Sequence, residues 1–187
     1  SRAHLQPLTT ARSHLQAGLA RSARRLARAA LQAARRSGRT EDELDARWLV
    51  FQALLQAGDR DAARSEWAPA ALLTQALAPE RLRGCAEGMQ GLLALADGQP
   101  AQAAQRCTQA LGLAPPAGPL ARLFRGAAAS AQLADGQPGP ALALTDTLGP
   151  DDDDALWLQR GRALQAAGRT DEAHAALEHA ALRLQAE

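Results

Sequence analysis

The residues of this 187-residue chain that could do chemistry are four histidines, two cysteines, a run of four aspartates and a strip of arginines. His4, His14, His174 and His179 lack the three- or four-residue separation that sets two ligands on one helix face. Cys85 and Cys107 are too few for a disulfide framework, and their spacing fits no metal motif. No histidine stands near Cys85 in the sequence to activate it as a nucleophile. Asp151 to Asp154 carry hard oxygen ligands, but four adjacent residues cannot all face one cation, so a role at a helix N-terminus is the better reading. The glycines recur at regular intervals and form no phosphate-cradling loop. The expectation is a non-enzyme with no catalytic residue, no metal and no cofactor.

The arginines are more informative. Arg21, Arg24, Arg25, Arg28, Arg35, Arg36 and Arg39 follow three- and four-residue steps, so most share one helix face. The opposite face carries Leu19, Ala23, Leu26, Ala27, Ala30, Leu31 and Ala34, a stripe that belongs against a core. Residues 1–40 hold nine Arg and no acid, a charge of +9; the remainder holds 12 Arg against 20 acids, a charge of −8. Two readings stand side by side. The strip is an ordinary solvated face, built from Arg because the chain has no Lys, or it is a docking strip for an acidic partner or another domain of the parent chain. Nucleic acid is the weaker partner, since the strip has no aromatic on which a base could stack and the whole chain carries only +1.

Stepping from these residues to the elements that hold them, the composition decides the fold class. There are 47 Ala and 31 Leu, one Val, and no Ile or Tyr. Strands favour β-branched and aromatic residues, helices Ala and Leu, so the chain reads as all-α. The absence of Lys, Asn, Ile and Tyr suggests a GC-rich, bacterial coding sequence. No apolar run approaches the ~20 residues that span a bilayer, so no membrane role is expected and the location is read as cytoplasmic. A start at Ser1 is read as a piece of a longer protein.

The elements repeat. The hexapeptide LADGQP occurs at 95–100 and again at 133–138. Turn glycines Gly18, Gly58, Gly98, Gly136 and Gly168 lie 40, 40, 38 and 32 residues apart. Five residues after each stands an alanine: Ala23, Ala63, Ala103, Ala141 and Ala173. Seven residues before each stand Ala11, Phe51, Gly91, Ala129 and Gly161, mostly small. A helix that ends on a glycine, turns and starts a second helix explains the period, and small residues beside the turn let the two helices cross closely. The predicted helices span 8–17, 20–37, 41–57, 59–77, 79–97, 100–112, 119–135, 138–147, 152–167 and 170–186. Pro100 and Pro138 suit early helix positions, Thr40 with Glu43 reads as a capping box, and Pro69 should kink or split its helix.

These residues resemble the tetratricopeptide repeat (TPR) family. The last unit matches best, with Trp157, Gly161, Leu164, Gly168, Ala173, Leu177 and Ala180 in the family's order. The third follows through Gly91, Gly98, Ala103, Ala110 and Pro115, with Cys107 in place of a large residue. The second has Leu54, Gly58, Ala63, Trp67 and Ala70, but Phe51 where a small residue belongs; the fourth is loose, and the first departs furthest, with Pro7 at the early bulky position. Three of the four intervals exceed the family's 34 residues. The resemblance implies a single domain, an α-solenoid wound as a right-handed superhelix of about five TPR-like hairpins (1–38, 39–78, 79–117, 118–150 and 151–187). It implies a non-catalytic protein–protein interaction scaffold that takes a protein or peptide partner. The alternative is a sensor or effector domain of a bacterial transcription regulator, binding a small ligand or an intramolecular partner domain. It places Arg12, Gln16, Asp45, Trp48, Gln52, Gln56, Leu92, Leu95, Ser130, Arg162 and Gln165 on a concave lining, with Trp48 as its anchor or as core packing between hairpins. Chaperone-binding relatives clamp a carboxylate with Lys and Asn, which this chain lacks, so that partner class is not expected.

Chelator and reductant should leave the melting temperature unchanged. Cys107, at a core position of the repeat, should label slowly under native conditions; a shift of several degrees or fast labelling would contradict the assignment.

Overall fold

A computed structural model describes residues 6–113, 119–150, 152 and 154–186. His4, Pro115, Pro116, Asp151 and Asp153 lie outside them. The helices are α1 (Gln6–Gln16), α2 (Ala20–Arg36), α3 (Thr40–Gln56), α4 (Arg60–Ser65), α5 (Trp67–Leu77), α6 (Leu82–Ala96), α7 (Pro100–Leu113), α8 (Pro119–Ala134), α9 (Pro138–Leu144), α10 (Asp154–Ala166) and α11 (Thr170–Ala186), with a 3-10 turn at Pro79–Arg81. The described residues contain no strand, and the fold is all-α, as the composition requires. The chain forms two compact units, Ser1–Leu82 and Arg83–Glu187, divided close to the expected repeat limit at 78/79.

All five marker glycines adopt the left-handed conformation, with φ between 72° and 82°, and Gly38 between α2 and α3 makes a sixth at 67°. A Cβ resists this region; glycine enters it freely. The hydrogen bonds around Gly98 show why an alanine follows five residues later. Gly98 N–H donates to Leu95 O at 3.1 Å and Gln99 N–H to Ala94 O at 2.9 Å, closing the end of α6. Gln99 O then accepts from Ala103 N–H at 3.0 Å, which opens α7. Position glycine-plus-five is thus the first residue of the new helix with a complete backbone bond, turned back toward the helix just left. Ala23, Ala63, Ala103, Ala141 and Ala173 are all buried.

The position seven before the glycine meets the position nine after it. At Gly91 an added Cβ would collide with Cys107 Sγ, and at Gly161 it would stand 2.6 Å from Leu177 Cδ2. Each glycine makes room for a specific partner across its hairpin. Gly88 does the same for the ring of Phe124, which is fully buried between α6 and α8.

Several expectations need correction. The helix expected over 59–77 splits at Glu66, because Pro69 has no N–H to offer Ser65 O, four residues back. The helix expected from 79 starts as a 3-10 turn. The helix expected to reach 147 stops at Leu144, where the buried Thr145 hydroxyl donates to Ala141 O at 3.0 Å. The capping box at Thr40 does not form: Arg39 is the N-cap without a side-chain bond, and Glu43 accepts from Arg47 at 3.0 Å instead.

Trp48, read from the sequence as a groove anchor or as core packing between hairpins, belongs to the core. It is 4% exposed, with Phe51 edge-on at 5.7 Å between centroids and Trp67 tilted at 6.2 Å. These rings come from α3 and α5, so Trp48 is the aromatic core of the second hairpin. Phe51 and Trp67 are both large at the minus-seven and plus-nine positions, where the third and fifth units set a glycine, Gly91 or Gly161, against Cys107 or Leu177. The Trp48 Nε1–H is buried with no hydrogen-bond partner.

Two stability tests follow from these crossings. Gly91→Ala should destabilise by roughly 1–3 kcal/mol despite its better helix propensity. Gly126→Ala, inside α8 with its nearest contact an ordinary 3.7 Å, should stabilise by up to about 1 kcal/mol; equal signs in urea melts would mean the crossing is misplaced. Trp48→Ala should cost roughly 3–5 kcal/mol, whereas Trp48→Phe, which removes the unpaired N–H, should cost far less. A Trp48→Ala protein of unchanged stability would return this residue to the surface.

Candidate interaction surface

The eleven residues expected to line a groove fall in both units. In the first, Arg12 and Asp45 face one another from α1 and α3. Burial of its carboxyl pushes the Asp45 pKa up; the Arg12 guanidinium opposes the rise, and Asp42 and Glu41 add to it. Gln56 donates from Nε2 to Leu15 O at 2.9 Å, so it ties α3 to the end of α1. Gln16 is exposed, Gln52 half-buried, and Trp48 belongs to the core. In the second unit, Ser130 is half-buried on α8, and Arg162 and Gln165 are exposed on α10. Leu92 is buried, and Leu95 packs on Ala94, Ala103, Ala104 and Ala131.

The histidines and thiols serve structure. His14 Nδ1 shares a hydrogen bond with Ser22 Oγ at 2.8 Å, pinning α1 to α2. The His179 ring lies 4.3 Å from that of Trp157, and its Nε2 donates to Pro150 O at 2.9 Å. Trp157 Nε1 in turn donates to Gly149 O at 3.1 Å, so both rings fasten the 149–150 turn. His174 sits beside Glu178. Burial pushes the Cys107 thiol up to about 12, far from a reactive thiolate. Among the described residues no three His, Cys, Asp or Glu gather where they could hold a metal ion.

The arginine strip has a definite geometry. Ala23, Ala27, Ala30 and Ala34 form the buried seam of α2, which turns the Arg face outward. Arg21, Arg25, Arg28, Arg35 and Arg36 are exposed and Arg24 is half-buried. Four of them, Arg21, Arg24, Arg25 and Arg28, line an open cleft of about 1330 Å³, floored by Ala20 and Ala29 and bounded by the Gly18 elbow and by Ala57 at the end of α3. Arg35 reaches instead toward Glu43, 3.9 Å away on α3. Arg36 stands outside the cleft, in the last turn of α2, where the helix dipole favours a cation.

Several arginines elsewhere in the chain are paired with carboxylates. Arg39 pairs with Asp42, Arg47 with Glu43, Arg64 with Asp61, Arg106 with Glu87 and Arg169 with Glu172. No carboxylate among the described residues pairs with Arg21, Arg24, Arg25 or Arg28. Their spacing sets like charges at i,i+3 and i,i+4, each costing about 0.2–0.5 kcal/mol. The first turn of α2 has no acid, so Arg21 also opposes the helix dipole. Sequence reasoning found the strip, but the cleft needs the elbow of the next hairpin, 30 residues away from its centre, and carries no local signal.

No protein-family model matches the chain, and no curated protein matches it either. Solved structures do. Crystal structures of the nearly identical TPR-like repeats of a Podosopora anserina protein named as a kinesin light chain align over nearly the whole length. One is 20% identical, covers 97% of this chain and 94% of its own, and has a TM-score of 0.50. A point variant of the same repeats is 19% identical, covers 95% and 92%, and has a TM-score of 0.52. At this identity the likeness is one of architecture, and it agrees with the six glycine elbows and the buried alanines: the chain has the fold of TPR-like helical repeats.

Proposed function

We propose that this chain is a non-catalytic protein–protein interaction module of a larger, cytoplasmic bacterial protein, and that the α2 cleft of its first unit is the contact surface. TPR-like folds generally serve to bind protein partners. The observation that carries the assignment here is the clustering of Arg21, Arg24, Arg25 and Arg28 on one helix face and around one cleft, with no carboxylate paired to any of the four among the described residues. A face kept at an electrostatic cost is explained by a use that the isolated chain does not show. The scaffold around it is suited to that use. The seam of α2 packs inward through four alanines, so partner contacts on the Arg side need not disturb the core.

The reading is tested by capture from nuclease-treated bacterial lysate with wild type and with the double variant Arg25→Glu/Arg28→Glu. A protein retained by wild type and lost with the double variant, at unchanged circular dichroism, is the expected result. Retention of the same proteins by both forms, or of none by either, would overturn it.

A further inference from the structure

The chemistry of the cleft specifies its partner more closely, on the reading that this cleft is the contact surface. We propose that it binds an extended, acidic peptide segment of a partner protein, with carboxylates at alternate positions.

The register supports this. Arg21 and Arg25, and likewise Arg24 and Arg28, are four residues apart on α2, a rise of about 6 Å. Same-face side chains of an extended chain, two residues apart, recur at about 6.8 Å. A segment of the form acidic–x–acidic–x therefore meets the guanidinium rows nearly in step, and planar guanidinium pairs carboxylates bidentately. Each pair that forms also relieves the like-charge repulsion along α2, so the gain exceeds that of an isolated exposed ion pair. The lining suits a backbone: Ala20, Ala29 and Ala57 are small and let an extended chain lie close, while the exposed Gln32 offers a polar group.

The same features disfavour nucleic acid. The cleft has no aromatic among its lining residues for base stacking. Its quartet spans only about 10 Å of helix, too short to follow a strand over many phosphates. The first unit holds 13 Arg against 8 acids, a net +5, and Glu41, Asp42 and Asp45 lie on the neighbouring helix α3. The positive field is a local patch with carboxylates close behind it, matched to a short segment.

Fluorescence anisotropy on the full chain with a labelled acetyl-(Ser-Glu)4-amide peptide tests the proposal, beside a labelled five-nucleotide deoxythymidine strand of the same charge. The peptide should bind at least tenfold more tightly than the oligonucleotide. Arg25→Glu/Arg28→Glu should weaken it at least tenfold, and the charge-matched variant Arg83→Glu/Arg122→Glu, changed at exposed positions of the second unit, should not. If the charge reversal fails to fold, Arg25→Gln/Arg28→Gln replaces it. That variant should melt no lower than wild type, since it removes repulsion, and should still lose the peptide. Equal losses in cleft and control variants would reduce the effect to net charge and overturn the proposal. So would oligonucleotide binding as tight as peptide binding, or no peptide binding by a folded chain. If the peptide fails while lysate capture still depends on Arg25 and Arg28, the contact surface stands and its partner is of another chemistry; if both fail, both readings fall.

Discussion

Everything in this fold hangs on a backbone conformation that side chains avoid. Six glycines at positive φ each end one helix and, through the following residue, begin the next. Because the residue after the glycine both caps the old helix and serves as N-cap for the new one, the angle between the helices is set within two residues. No long-range contact is needed to choose it. Packing then has only to accept the hairpin that the elbow presents.

Acceptance depends on size at a few positions. Alanine five residues after the glycine is buried in every repeat, and at two crossings a glycine makes room for the side chain opposite, Gly91 for Cys107 and Gly161 for Leu177. The second hairpin instead places Phe51 and Trp67 at these positions, and it recruits Trp48 to complete an aromatic cluster. That hairpin is also the one whose second helix breaks at Glu66. Two bulky residues at one crossing and a proline three residues after the break belong together: a continuous helix would have to carry its Trp and its Pro past the same neighbour.

An alanine-rich scaffold leaves little for its surface to do except carry charge. With short side chains on the seams, helices approach closely and the exposed faces are dominated by Arg, Asp, Glu and Gln. Several of these charges form pairs within a turn or across one hairpin. The Arg quartet of α2 has no such partner among the described residues: no acid occurs anywhere in residues 1–40, and Asp42 and Glu43 of α3 pair with Arg39, Arg47 and Arg35. An unsatisfied charge pattern held on a rigid seam is a preorganised contact surface, since it needs no ordering before it binds.

The sequence by itself determined the helical class, the elbows and the buried alanines, because each follows from a residue's own backbone preference or from a spacing of a few residues. Gly98 must turn and Ala103 must face inward whatever lies elsewhere in the chain. It also placed the Arg strip on one side of α2, since helical periodicity alone separates that side from the alanine seam. Tertiary structure decided what periodicity could not. Trp48 could be read from the sequence as groove or as core, and the folded chain buries it against Phe51 and Trp67. Glu43 was free to cap Thr40 until Arg47 offered a stronger, charged partner. The cleft, likewise, exists because the end of α3 comes to lie beside the first turns of α2, a proximity between residues 57 and 20–29 that depends on the elbow at Gly38 and on how two hairpins stack. Local preference acts over one turn of helix; which charges stay unpaired and which rings lose their solvent depends on neighbours that only the folded chain brings together.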